Sequence, residues 1–294
     1  MISGFLAIDK PEKISSFDVI RRLRRILKIK KMGHGGTLDP FATGILPIAI
    51  GEATKLLEFI ANNDKAYEFT MKFGVATDTL DLEGSILGTN TIMPSNESLI
   101  NILPQFLGKI SQIPPKYSAI KINGQRAYDL ARSGIDFEIK AREVEILDLQ
   151  LLSYDAEKFE AKMYAKVSKG TYIRTLASDI AEKLGAICHL NYLRRVEFGK
   201  ILEKDTISLD ILEKMVNNGE HITKVFLHTT NILDDIPVFE VSVEELGKIR
   251  QGQFLQKSLN LPDSSIISLI HQEKIAAIAK YESGLIKPTK NIIF

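Results

Sequence analysis

Residues 33–56, GHGGTLDPFATGILPIAIGEATKL, constrain the fold more than any other stretch, because glycine and proline crowd its first half and apolar residues its second. Gly33, Gly35 and Gly36 open backbone conformations closed to other residues and permit close approach of a ligand. Asp39 precedes Pro40, which biases it away from helix and towards an extended or turn conformation. An acidic side chain on a loop stiffened in this way is a reasonable catalytic arrangement. Asp-Pro also caps ordinary turns, so the loop alone leaves both readings open.

Around that loop the pattern is mixed. GFLAID (4–9) reads as a short buried strand closed by Lys10-Pro11. Ser15 and Asp18 have capping-box spacing, and a helix is expected from there through RRLRRILKIKK. Val19, Leu23, Ile26 and Leu27 would form its apolar stripe, with Arg21, Arg22, Arg24, Arg25 and Lys28 outward, either solvated or facing a phosphate backbone. AYEFTMKFG (66–74) alternates like a strand, TDTLDLEG (77–84) reads as a polar turn, and SNESLINILPQFLG (95–108) as a helix. VEILDLQLL (144–152) and KFEAKMYAKVS (158–168) look like neighbouring antiparallel strands, and GTYIRTLASDIAEKLG (170–185) like a turn that becomes a helix. Strands and helices alternate without βαβ regularity, so the fold class is α+β with a mixed, largely antiparallel sheet. A boundary is expected near NILDDIP (231–237), giving a main domain over 1–232 and a small β-rich domain over 233–294.

Several chemistries are disfavoured. The one cysteine, Cys188, supplies neither a disulfide framework nor a cysteine-based zinc cluster, and it suits a reducing cytoplasm. No G-x-x-x-x-G-K-[ST] loop occurs, and Leu38 stands where a dinucleotide fingerprint needs its last glycine. No H-E-x-x-H occurs and the five histidines are scattered, so neither metal nor cofactor is expected. No signal peptide or membrane span is expected, since runs such as ILPIAIG fall well short of the roughly 20 residues a span requires. The net charge is only +1, yet residues 1–60 hold 10 Lys/Arg against 6 Asp/Glu and residues 104–142 hold 7 against 3. Two locally positive segments are compatible with phosphate contacts and equally with solvated surface.

GHGGTLDPFATGILPIAIGEATKL resembles the signature of the bacterial tRNA pseudouridine-55 synthase family, related to the dyskerin-type synthases. An N-terminal stretch and four further ones carry the same resemblance in order: AIDKP (7–11), DKAYEFTMKFGVATDTLDLEG (64–84), QIPPKYSAIKINGQRAYDLARSG (112–134), SKGTYIRTLASDIAEKLG (168–185) and HLNYLRRVEFGKI (189–201). Two departures are visible: Gly35 stands where several relatives carry threonine or serine, and Ala181 replaces a frequent glycine.

The resemblance implies an isomerase that moves the uracil of a flipped T-loop uridine of tRNA from N1 to C5. It implies Asp39 as the essential carboxylate, Tyr67 stacking on the base, Tyr172 near the reacting carbon, and Arg174 paired with Asp39. Leu193 would be an apolar pocket contact, His34 would fill space at the flipped nucleotides, and Lys10 with Pro11 would support the site. Residues 104–142 resemble a mobile thumb over the T-arm, with Lys116, Lys121, Arg126 and Arg132 as candidate phosphate contacts. The tail resembles a PUA-like domain. A monomer is expected. The competing expectation is an RNA-binding or tRNA-folding chaperone that keeps this fold.

Overall fold

The computed structural model of the chain describes residues 2–228, 232–233, 236–272 and 274–292. It divides by contacts into unit 1 (Met1–Asp39, Ile45–Asn63, Gly199–Phe294) and unit 2 (Pro40–Gly44, Asp64–Phe198). The expected boundary at 232/233 is not where this division falls, and residues 231, 234 and 235 lie outside the described residues.

Unit 1 begins with β1 (Gly4–Lys10), buried over most of its length. Helix α1 (Ser16–Leu27) follows the expected capping box: the Ser15 hydroxyl accepts from the Asp18 N–H, and the Asp18 carboxylate accepts from the Ser15 N–H. The helix ends before the expected KIKK, because Lys28 turns left-handed (φ 55°) and closes the last turn. Its buried face is Ser16, Val19, Ile20 and Leu23, an i, i+3, i+4, i+7 set, while Ile26 and Leu27 are only half-buried. Arg22 does not face solvent freely: its guanidinium reaches Asp210 at 2.5 Å and Glu213 at 2.9 Å. β2 (Met32–His34) runs antiparallel to β3 (Thr43–Ile50), with His34 opposite Ile48. A 3-10 turn (Gly51–Leu56) and α2 (Leu57–Ile60) complete the segment.

Unit 2 is built on β4 (Lys65–Phe73), whose alternate residues Lys65, Tyr67, Phe69, Met71 and Phe73 are all buried. A small hairpin, β5 (Val75–Thr77) with β6 (Ile86–Thr89), is followed by α3 (Asn96–Ile102), capped by Ser95. Within the expected thumb, β7 (Gly108–Gln112) is an edge strand of the sheet, and only the chain beyond Gln112 leaves the sheet. That outer part holds the hairpin β8 (Lys121–Ile122) and β9 (Gln125–Arg126), then α4 (Ala127–Arg132). β10 (Arg142–Asp155), β11 (Glu160–Val167), α5 (Ile173–Lys183) and β12 (Cys188–Phe198) complete the unit. The order β12–β4–β11–β10–β7 is antiparallel throughout, and β12 adds a parallel contact to Thr43 and Gly44 at the start of β3. Gly44 has φ +96°, and a Cβ there would stand 2.3 Å from the Arg195 carbonyl oxygen, so this pairing requires glycine.

The chain then returns to unit 1 through β13 (Ile201–Leu202), β14 (Thr206–Ser208), parallel to β1, and α6 (Leu209–Asn217). The tail forms its own sheet from β15 (Val238–Glu240), β16 (Leu255–Gln256), β17 (Ser265–His271), β18 (Lys274–Glu282) and β19 (Leu285–Asn291), in the order β15–β17–β18–β19–β16. Helix α7 (Val243–Arg250), opened by a Ser242/Glu245 capping box, lays Ile249 on a core of Ile267, Leu269, Ala277 and Ile286. The fold is therefore α+β, with a mixed, mostly antiparallel main sheet and a small β-rich tail. Among the described residues no helix is long and apolar enough to cross a membrane.

Candidate active site

In unit 1 the loop between β2 and β3 presents Asp39. Gly33 and Gly35 serve close packing there: a Cβ at Gly33 would stand 2.6 Å from Leu57, and one at Gly35 2.5 Å from Ile60. The glycines thus let the loop lie down on the segment after β3. Leu38 is buried and Asp39 beside it half-buried. The residue before Asp39 is held at both backbone atoms: the Leu38 N–H donates to Ser16 Oγ at 2.8 Å, and that hydroxyl donates to the Leu38 carbonyl at 3.0 Å. Lys10 is fully buried, and its ammonium donates to the carbonyls of Pro11 (2.9 Å) and Ile14 (2.7 Å). That cation shapes the turn leading into α1. His34 is half-buried at the end of β2.

Unit 2 gathers Tyr172, Arg174, Gln112, Arg142 and Asp81. Tyr172 is the N-cap of α5 but makes no side-chain cap of its own. Fully buried Gln112 clamps its backbone instead: the Tyr172 N–H donates to Gln112 Oε1 at 2.8 Å, and Gln112 Nε2 donates to the Tyr172 carbonyl at 3.1 Å. The Arg142 guanidinium lies 4.8 Å from the Tyr172 ring centroid and also donates to the Gly170 carbonyl. Arg174, 3% exposed, is ion-paired with Asp81 at 3.2 Å and donates to the carbonyls of Thr79 (2.7 Å) and Tyr117 (2.9 Å). Asp81 in turn accepts from the Thr79 hydroxyl at 2.6 Å and the Glu83 N–H at 3.0 Å.

The sequence does not single out Asp81, Gln112 or Ser16. The stretch 77–84 reads as a polar turn, and the only hint in it is an acid between two leucines, Leu80 and Leu82. Nothing in local spacing marks Gln112 or Ser16.

Tyr67 lies on the buried face of β4, opposite Ala165 of β11 and Arg195 of β12, and Leu193 is buried opposite Phe69. Lys65 and Arg195 both approach the Phe198 ring, at 4.9 and 5.2 Å. Burial, and then the charge of Arg195, push the Lys65 ammonium down to about 8. The four basic thumb residues are all exposed: Lys116 pairs with Asp136 at 3.2 Å, Arg132 stacks on Tyr128 at 4.4 Å, and Lys121 faces Arg126 across the β8–β9 hairpin. Burial pushes the Cys188 thiol up to about 12, so thiolate chemistry is closed to it. Among the residues described above, a half-buried carboxylate on a pinned loop and a phenol are candidates for covalent or acid–base chemistry, and a buried guanidinium can supply only fixed charge and hydrogen bonds.

The chain matches the model of "TruB family pseudouridylate synthase (N terminal domain)" over residues 24–173 and that of "tRNA pseudouridylate synthase B C-terminal domain" over 174–233. It is 38% identical to a tRNA pseudouridine synthase B of Caulobacter sp. strain K31, covering 98% of this chain and 96% of that one. It is 44% identical to one of Zymomonas mobilis over 86% of this chain and 84% of the relative. Among solved structures it resembles a Cbf5–Nop10–Gar1 complex chain (TM-score 0.76, 20% identity, 99% of this chain and 85% of that one). It is equally similar, at TM-score 0.76 and 19% identity over 99% and 85%, to a chain of an H/ACA RNP bound to a substrate RNA containing 2′-deoxyuridine. At those identities the two structures speak for the fold.

Proposed function

The chain belongs to the TruB family of pseudouridylate synthases, and on that premise we propose that it isomerises the T-loop uridine at position 55 of tRNA to pseudouridine with Asp39 as the catalytic carboxylate. The protein is a tRNA pseudouridine synthase, an isomerase that binds RNA. The reaction breaks the C1′–N1 bond, turns the uracil and forms C1′–C5, so atoms and electrons balance within the substrate. Asp39 serves by bonding to C1′, by adding to the base, or by removing the 2′ proton; all three require an ionised carboxylate against the ribose. Extruding the uridine costs a few kcal/mol, which stacking on Tyr67 offsets in part. After C5 is joined, its proton must leave, and Tyr172 is the base proposed for that step. Arg174 is proposed to hold the Asp39 carboxylate ionised. Leu193 and His34 are proposed pocket contacts, Lys10 supports the site, and Lys116, Lys121, Arg126 and Arg132 meet T-arm phosphates. The catalytic domain is taken as 1–232 and the small domain as 233–294. The enzyme acts as a cytoplasmic monomer without a cofactor.

The observation that carries the assignment is a half-buried carboxylate whose preceding residue is pinned at both backbone atoms, inside the segment matching the family. The test is position-resolved pseudouridine mapping on unmodified tRNA. Asp39→Asn is expected to bind tRNA normally and lose at least about 10⁴-fold in rate, more than ~5 kcal/mol of barrier. Near-normal turnover by that variant removes Asp39 from the mechanism. Refolding of tRNA without any modification by the unsubstituted protein would favour the chaperone reading instead.

A further inference from the structure

Ser16 stands apart from every residue assigned so far. It is 1% exposed, sits at the first position of α1, and touches the loop 22 residues downstream. Helix capping does not need it, since Ser15 supplies the cap and Asp18 completes the box. Its hydroxyl instead accepts from the Leu38 N–H and donates to the Leu38 carbonyl. The two bonds hold the peptide groups on both sides of Leu38, and the second of these is the peptide that leads into Asp39, so the contact restrains how the chain enters Asp39. The Leu38 side chain is itself buried, which restrains the same residue further.

We infer that Ser16 is a positioning residue, acting through Leu38 to aim the Asp39 carboxylate at the ribose. The inference rests on the reading of Asp39 as the catalytic group. A serine hydroxyl is suited to this task because it donates and accepts through one atom. Both backbone groups lie where water would replace it poorly, so its removal leaves Leu38 free to shift. A displacement of about 1 Å at a reacting group costs on the order of 100-fold in rate.

The experiment compares single-turnover kinetics of Ser16→Ala, Ser16→Cys, Ser15→Ala and Asp39→Asn on unmodified tRNA, with binding and thermal unfolding of each. Ser16→Cys fills the site with a somewhat larger group that is only a weak donor and acceptor, so it tests the clamp without opening a cavity even if alanine unsettles the fold. Both Ser16 variants are expected to bind tRNA within about 3-fold of the unsubstituted protein while the rate constant falls roughly 10- to 100-fold. Ser15→Ala is expected to lower the unfolding temperature and the reaction amplitude, with the rate constant of the folded fraction kept. A Ser16→Cys protein that folds normally and reacts at the unsubstituted rate, beside an inactive Asp39→Asn, overturns the inference and leaves Asp39 in place. An active Asp39→Asn overturns both.

Discussion

Arg174 carries a permanent charge to a place that solvent hardly reaches, and such a charge persists only with partners. Those partners include one carboxylate and two carbonyls, from Asp81, Thr79 and Tyr117. In the sequence, a cation at a helix start is unfavourable against the helix dipole, which hints at a special role without naming a partner. The carboxylate comes from a turn that looks merely polar. Composition shows that Asp81 is charged; only the way the chain closes over it shows that it is buried. Asp81→Asn is expected to cost about 3–5 kcal/mol, because it breaks a buried pair on one side only. That corresponds to a fall of roughly 10 °C in unfolding temperature, with activity reduced more than about 10-fold. An unfolding temperature within about 2 °C of the parent would show that the pair does not hold the guanidinium.

At the level of elements, α5 illustrates how a helix start can be fixed from outside. Its N-cap residue is a tyrosine, which cannot cap, and the amide of Gln112 from β7 takes over. Gln112→Met keeps the bulk and removes both hydrogen bonds, at an expected cost of about 2–4 kcal/mol. Hydrogen exchange should accelerate at the first turn of α5; unchanged protection there would argue against the clamp. Further along the same helix, burial and then Glu182 push the Asp179 carboxyl up to about 6. A folded-state value above the unfolded one gives stability that is complete below the unfolded value of 3.8 and is lost as pH rises through about 6. At pH above 7 the ionised group is therefore a burden. Asp179→Asn should raise stability at pH 7.5 by about 1–2 kcal/mol, with the gain shrinking towards pH 5 in unfolding scans. An equal gain at both values would detach the effect from this titration. The elements themselves are largely legible: alternation marks β4 within a residue at each end, and the Ser15/Asp18 capping box marks the start of α1. The end of α1 is not legible, because a left-handed lysine stops it where the residues alone favour continuation.

Over the whole molecule the near-neutral charge hides two basic stretches, and the four exposed cations of the outer thumb are the proposed phosphate contacts. If three or four such contacts form, tRNA affinity should fall about 100-fold between 50 and 200 mM salt, through counterion release. A flat salt response in equilibrium binding would reject these contacts.

Taken by itself, the sequence determined the periodicity of its strands, the starts of its helices, the residue types available for chemistry, and a family pattern spread over most of its length. Tertiary structure alone decided pairing. Ser16 meets Leu38 and Gln112 meets Tyr172 across 22 and 60 residues, and the two contact units interleave along the chain. Hydrophobic period and capping act within a turn or two of the chain, so they can be read locally. The choice of a buried polar partner depends on where the chain returns, and that is settled only when the core closes around it.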